Sequence, residues 1–221
     1  MSKQLAAIST LALPLLWSVS AQAVPMLELR LSEIGYTTET FAGTNGLALF
    51  ADSYGTFIVV SATGTGTPLG MPVSLIDLSS VQVSSATGGT LQLALTETGL
   101  TSDTAGAAAG FLSAIGGTLG LGNALTYQTY IDASNAAFGT AQALANTTFS
   151  GSIPFSGRSV NAGNPGNGLF SETEIFTLVA DPSTTTSFDG RLNEVPEPVS
   201  MAVLGVGLLG LGLARRRSKV S

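Results

Sequence analysis

Glu172 and Glu174 stand two residues apart, so an extended strand would carry both carboxyls on one face with Cα atoms about 6.6 Å apart. Paired carboxylates do general acid and base work in glycoside hydrolysis, but there the two groups usually come from different strands across a cleft. The pair therefore reads as a solvated strand entrance following the glycine-rich stretch before it. Asp132, Asp181 and Asp189 fall at expected turns, where a carboxylate caps backbone amides. No Asp-x-Asp-x-Asp-Gly series builds a calcium loop, which leaves open only a site assembled from distant loops. Gly64-Thr65-Gly66-Thr67-Pro68 is glycine-rich like a phosphate cradle, yet lacks the following lysine and helix and reads as a turn. Tyr36, Tyr54, Tyr127 and Tyr130, with the loop Asn161 to Asn167, could offer flat faces and amides to a sugar, or could pack at a core edge.

The chain has no His and no Cys, which excludes Ser-His-Asp and Cys-His nucleophile pairs, disulfides, and thiolate or imidazole metal sites. Its only lysines, Lys3 and Lys219, lie near the ends. General acid-base chemistry near neutral pH would have to rest on carboxylates alone. The expectation is a protein that is not an enzyme, with no catalytic residues, no metal and no cofactor.

The elements that would position these residues are strands. Leu27, Leu29 and Leu31 alternate with Glu28, Arg30 and Ser32; Leu91, Leu93 and Leu95 with Gln92, Ala94 and Thr96; Leu125, Tyr127, Thr129 and Ile131 with Thr126, Gln128, Tyr130 and Asp132. Further β-rich runs are Thr56 to Val60, Val73 to Val83, Thr147 to Ile153, Glu174 to Val179 and Thr184 to Leu192, separated by turn-rich stretches such as Gly88-Gly89 and Asn161 to Gly168. In the Ala- and Gly-rich stretch Thr101 to Leu121, Ala105 to Ala114 could form a short helix. Gly106, Gly110, Gly116 and Gly117 all weaken that helix and favour a loop followed by a strand. The pattern predicts an all-β fold, an antiparallel β-sandwich of about eight or nine strands. Between residues 24 and 194, Arg30, Arg158 and Arg191 stand against 13 acidic residues, a net charge of −10 that argues against nucleic acid as a partner.

The two ends read as addresses. Lys3, the apolar stretch Leu5 to Val19 and the small residues Ala21 and Ala23 make residues 1–23 a signal peptide, with signal peptidase expected to cut after Ala23. At the other end Val195-Pro196-Glu197-Pro198 precedes an apolar run, Val199 to Ala214, and the cluster Arg215, Arg216 and Arg217, with Lys219 close behind. The prolines disfavour helix before Val199. A 16-residue helix spans roughly 24 Å against a hydrocarbon core of ~30 Å, so the segment suits a temporary tether. The cations should stay cytoplasmic.

This three-part ending resembles the PEP-CTERM sorting signal: Pro196, Glu197 and Pro198 match its motif, 199–214 its transmembrane helix and 215–221 its basic tail. Tyr127, Tyr130 and Asp132, and the stretch Thr186 to Asp189, are similar to patterns in other ectodomains of that kind. The resemblance implies processing by an exosortase, passage through an inner-membrane intermediate, and a final place at the cell surface or in an extracellular, exopolysaccharide-containing biofilm matrix. The expected organisation is a signal peptide over 1–23, a β-sandwich ectodomain over 24–194 and the sorting signal over 195–221. The expected role is structural or adhesive, with a carbohydrate-binding module acting on exopolysaccharide as the alternative and a polysaccharide-acting enzyme as a third option.

Overall fold

The computed structural model describes residues 24–67, 73–102, 108–151 and 154–195. The proposed signal-cleavage residues Ala21 and Ala23, the motif residues Pro196, Glu197 and Pro198, the span 199–214 and Arg215, Arg216 and Arg217 lie outside the described residues. No helix among the described residues is long and apolar enough to cross a membrane.

Twelve strands follow one another: β1 (Met26–Glu33), β2 (Glu39–Ala42), β3 (Leu47–Tyr54), β4 (Phe57–Thr65), β5 (Leu75–Ser85), β6 (Gly89–Leu100), β7 (Ala109–Thr118), β8 (Ala124–Asp132), β9 (Gln142–Ser150), β10 (Pro154–Gly163), β11 (Phe170–Ala180) and β12 (Thr184–Val195). They form two six-stranded sheets, all pairings antiparallel. Sheet A runs β2-β1-β6-β11-β8-β9 and sheet B runs β10-β7-β12-β5-β4-β3. The sandwich is thus as expected, but twelve strands replace the eight or nine read from the sequence. The additional ones are β2, β3 and β10, all of them edge strands.

Alternation sets which way each sheet faces. Leu27, Leu29 and Leu31 of β1 and Leu91, Leu93 and Leu95 of β6 are all buried, with Leu29 facing Leu95 and Leu31 facing Leu93 across the ladder, and each fully buried leucine contributes roughly 1.5–3 kcal/mol. At the centre of the core Tyr127, Phe176 and Phe188 stack in series, with ring centroids 4.9 and 5.1 Å apart. The Ala- and Gly-rich stretch resolves as a strand, β7, while 103–107 lie outside the described residues. Gly64 and Thr65, read as part of a turn, instead end β4, because the strand needs a residue without a side chain where Leu95 presses in: a Cβ on Gly64 would sit 2.5 Å from Leu95 Cδ1.

Candidate functional site

Three places concentrate polar groups: the interior between the sheets, a trough on the outer face of sheet B, and one end of the sandwich.

The interior corrects the reading of Glu172 and Glu174. Both are fully buried, because they share the inward face of β11 with Phe170, Phe176 and Leu178. Glu172 lies across from Glu97 of β6, and Glu174 across from Leu95 of β6 and Thr129 of β8. The Ser74 hydroxyl donates to Glu172. Tyr127 Oη lies 2.5 Å from Glu174 Oε1 and 2.9 Å from the Arg191 carbonyl, two contacts for one phenolic proton. The other oxygens, Glu172 Oε2 and Glu174 Oε2, meet no hydrogen-bond partner among the described residues. Burial pushes both carboxyls well above the ordinary glutamate range. Ser74 and Tyr127 oppose that shift through their hydrogen bonds, and neighbouring carboxylates add to it. Glu194, hydrogen-bonded by Ser102, is also buried.

The outer face of sheet B carries the trough, a depression of about 280 Å³ bordered by Asp77, Asp189 and Arg191 over Ala114, Gly116 and Gly190. Register explains it. Asp77 of β5 pairs with Arg191 of β12, which pairs with Ala114 of β7, which pairs with Arg158 of β10, so the four form one row across neighbouring strands about 4.8 Å apart. The next row holds Asp189, Gly116 and Ser156. Alanine and glycine on β7 leave a channel beside the longer side chains of β12 and β5. Arg191 borders the trough, and Arg158 stands one strand beyond its Ala114 floor. Asp189 Oδ1 accepts the Ser80 amide at 2.6 Å, which fixes that carboxylate beside the channel. Partial burial raises the Asp77 carboxyl above its ordinary value. Its Ser79 hydrogen bond opposes this, Asp189 adds to it, and Arg191 lowers it.

At the end of the sandwich Glu97 borders a cavity of about 640 Å³ between the start of β1, the β2–β3 connection and the end of β4. Thr67 donates its amide to both carboxylate oxygens, at 3.0 and 2.8 Å, and its hydroxyl to Oε2 at 2.7 Å. Burial raises this carboxyl too, against the bonds from Thr67.

The remaining sequence candidates are scattered. Asp132 caps Ser134, accepting its amide at 2.8 Å and its hydroxyl at 2.6 Å, as expected of a turn residue. The four tyrosines form no shared platform. Tyr127 is in the core, Tyr54 is buried with its hydroxyl donated to the Thr37 carbonyl at 2.8 Å, Tyr36 is exposed, and Tyr130 lies on the outer face of sheet A. In the Asn-rich stretch Asn164 accepts the Gly166 amide and Asn161 bonds Ser159, so both amides serve local structure. An aromatic that the sequence reading passed over, Phe138, sits at φ 55° on the β8–β9 connection with Arg30 Cζ 4.0 Å from its ring centroid. No cluster of three acidic residues among those described can hold a metal ion.

No family model matches the chain, and no curated protein matches it. Among solved structures it is similar to TmCBM61, determined with β-1,4-galactotriose, at a TM-score of 0.37 and 6% identity over 75% of this chain and 86% of that one. It is similar to a xylan-binding domain from CBM 22 at 0.30 and 15%, over 65% and 88%. It is also similar to a chain of infectious bursal disease virus, Gx strain, at 0.33 and 13%, over 84% and 53%.

Proposed function

We propose that this chain is an exported, non-catalytic module that holds a polysaccharide chain in the trough along β7. The observation that carries the reading is the channel floored by Ala114 and Gly116 and walled by Asp77, Asp189 and Arg191. Sugar hydroxyls both donate and accept, and carboxylates beside a guanidinium meet both needs. A shallow channel open along a strand lets a polymer pass, whereas a closed pocket takes only chain ends. The signal peptide and the Pro196-Glu197-Pro198 ending place the module, in this reading, at the cell surface or in the matrix after signal peptidase and exosortase have acted. The module does no chemistry on the glycan, because the glutamates best suited by pKa are packed between the sheets and border neither the trough nor the end cavity. Glu97 borders the end cavity, and no second carboxyl is among the described residues that line it.

A glycan array followed by affinity electrophoresis tests this. One or more matrix-type polysaccharides should retard the protein, and Asp77→Asn or Arg191→Ala should weaken retention about tenfold or more, the loss of one or two charge-assisted hydrogen bonds. Unchanged retention in both variants would remove the trough from the reading. A structural or adhesive role without a glycan is the second reading, favoured by the exposed apolar side chains Leu47, Leu49, Ile58 and Val60 on β3 and β4.

A further inference from the structure

We infer that the cavity at the end of the sandwich is a second site, which binds a small organic cation, a primary ammonium group on an apolar body, with Glu97 as its counter-charge. The site is separate from the trough, and the inference does not depend on the polysaccharide reading.

The cavity, about 640 Å³, falls within the range that encloses small ligands. Pro25, Leu27 and Ala42 give it apolar walls. Three backbone amides around its mouth are already spent. Gly43 N donates to the Leu27 carbonyl at 2.7 Å, Thr44 N to the Leu47 carbonyl at 2.8 Å and Gly66 N to the Gly46 carbonyl at 2.9 Å. No row of free amides therefore invites an anion. Glu97 is the only ionisable side chain among the lining residues, and it is 1% exposed. No arginine or lysine side chain among the described lining residues neutralises it, and in the full chain Val24 at the cavity carries no terminal ammonium.

Gly66 is part of the construction. A Cβ there would lie 2.5 Å from Glu97 Oε1, so only glycine leaves the carboxylate room to stand beside the end of β4. Thr67 then orients it with three hydrogen bonds, two on Oε2 and one on Oε1, which leave a lone pair on Oε1. Glu172, across the ladder from Glu97, adds a second carboxyl on the interior side and no cation. A buried carboxylate without a cation is an expensive arrangement, and an incoming ammonium supplies the missing charge while its apolar body covers the walls.

The test uses the purified full chain, n-butylammonium as probe and n-butanol as its neutral counterpart. Titration followed by amide chemical shifts should give saturable changes at Gly43, Gly46, Gly66 and Thr67 with n-butylammonium, and at least tenfold weaker ones with n-butanol. Glu97→Gln, which keeps an acceptor for Thr67, should lose tenfold or more in affinity with the trough amides unmoved. Absence of saturable shifts, or equal binding of the alcohol and the ammonium to the unmodified protein, would overturn the site. So would undiminished binding to Glu97→Gln. The comparison of the two probes decides the matter on the unmodified protein even where the variant folds poorly.

Discussion

Burial between two packed sheets favours the neutral form of a carboxyl, and Glu172 and Glu174 turn that into a dependence of stability on pH. In the unfolded chain each titrates near 4.5; in the folded protein burial holds each well above it. Below the unfolded value both states are protonated and the stability is fully present. As pH rises past it the unfolded chain releases protons that the folded one keeps, so stability falls until the folded pKa is passed. Each pH unit inside that window removes about 1.4 kcal/mol per group. The thermal midpoint should therefore drop as pH rises past about 4.5. Glu174→Gln, which still offers an amide to Tyr127, should flatten that slope and melt above the unmodified protein at pH 8. A midpoint independent of pH would mean that these carboxyls are ionised in the fold. The burial was legible in principle, because residues 170, 172, 174, 176 and 178 share parity and three of the five are large apolar side chains. Charge at two of the five positions outweighed parity, since glutamate is so seldom buried.

Strands were legible wherever inward leucines alternate with outward polar residues, as in β1, β6 and β8. In β3 the outward Leu47 and Leu49 are as apolar as the inward Ala48 and Phe50, which erases the alternation, and β10 carries Pro154, Gly157 and Asn161, residues that normally mark turns. Both are edges, where one side of the ladder is unpaired and proline and glycine cost less. The trough was not legible at all, because Asp77, Arg191, Ala114 and Arg158 become neighbours only through the order β5-β12-β7-β10. The bulge between Phe188 and Gly190 in β12 offers a test at this scale. A Cβ on Gly190 would meet two atoms of the Phe176 ring at 2.5 Å, and that ring is held between Tyr127 and Phe188 and has nowhere to retreat. Gly190→Ala should lower unfolding stability by about 1–3 kcal/mol in urea, as overpacking does. Stability within error of the unmodified protein would show that the aromatic stack is looser than its geometry implies.

For the whole molecule, the sandwich constrains where processing can cut. β1 begins at Met26, so release after Ala23 would leave its full ladder with β6 intact. β12 is an interior strand of sheet B, paired on one side with β5 and on the other with β7 as far as Val195, and Glu194 just before that end is buried and hydrogen-bonded by Ser102. A cut before Glu194 would remove the last two β7 pairs and the Glu194–Ser102 hydrogen bond, and open the interior beside Glu172. A cut beyond Val195 would leave both β12 ladders intact. If the ends are addresses, the mature protein recovered from envelope or matrix should begin at Val24, end at Val195 or a few residues later, and lack any peptide containing Arg215 to Lys219. Intact-mass spectrometry reads both ends in one measurement. Replacing Pro196, Glu197 and Pro198 by alanines should leave the uncut chain in the inner membrane, through a helix extended past Val199, while the ectodomain keeps the same melting curve. Recovery of the full C-terminal tail in the matrix, or a mature product ending before Glu194, would break the link between the sorting signal and the strand that precedes it.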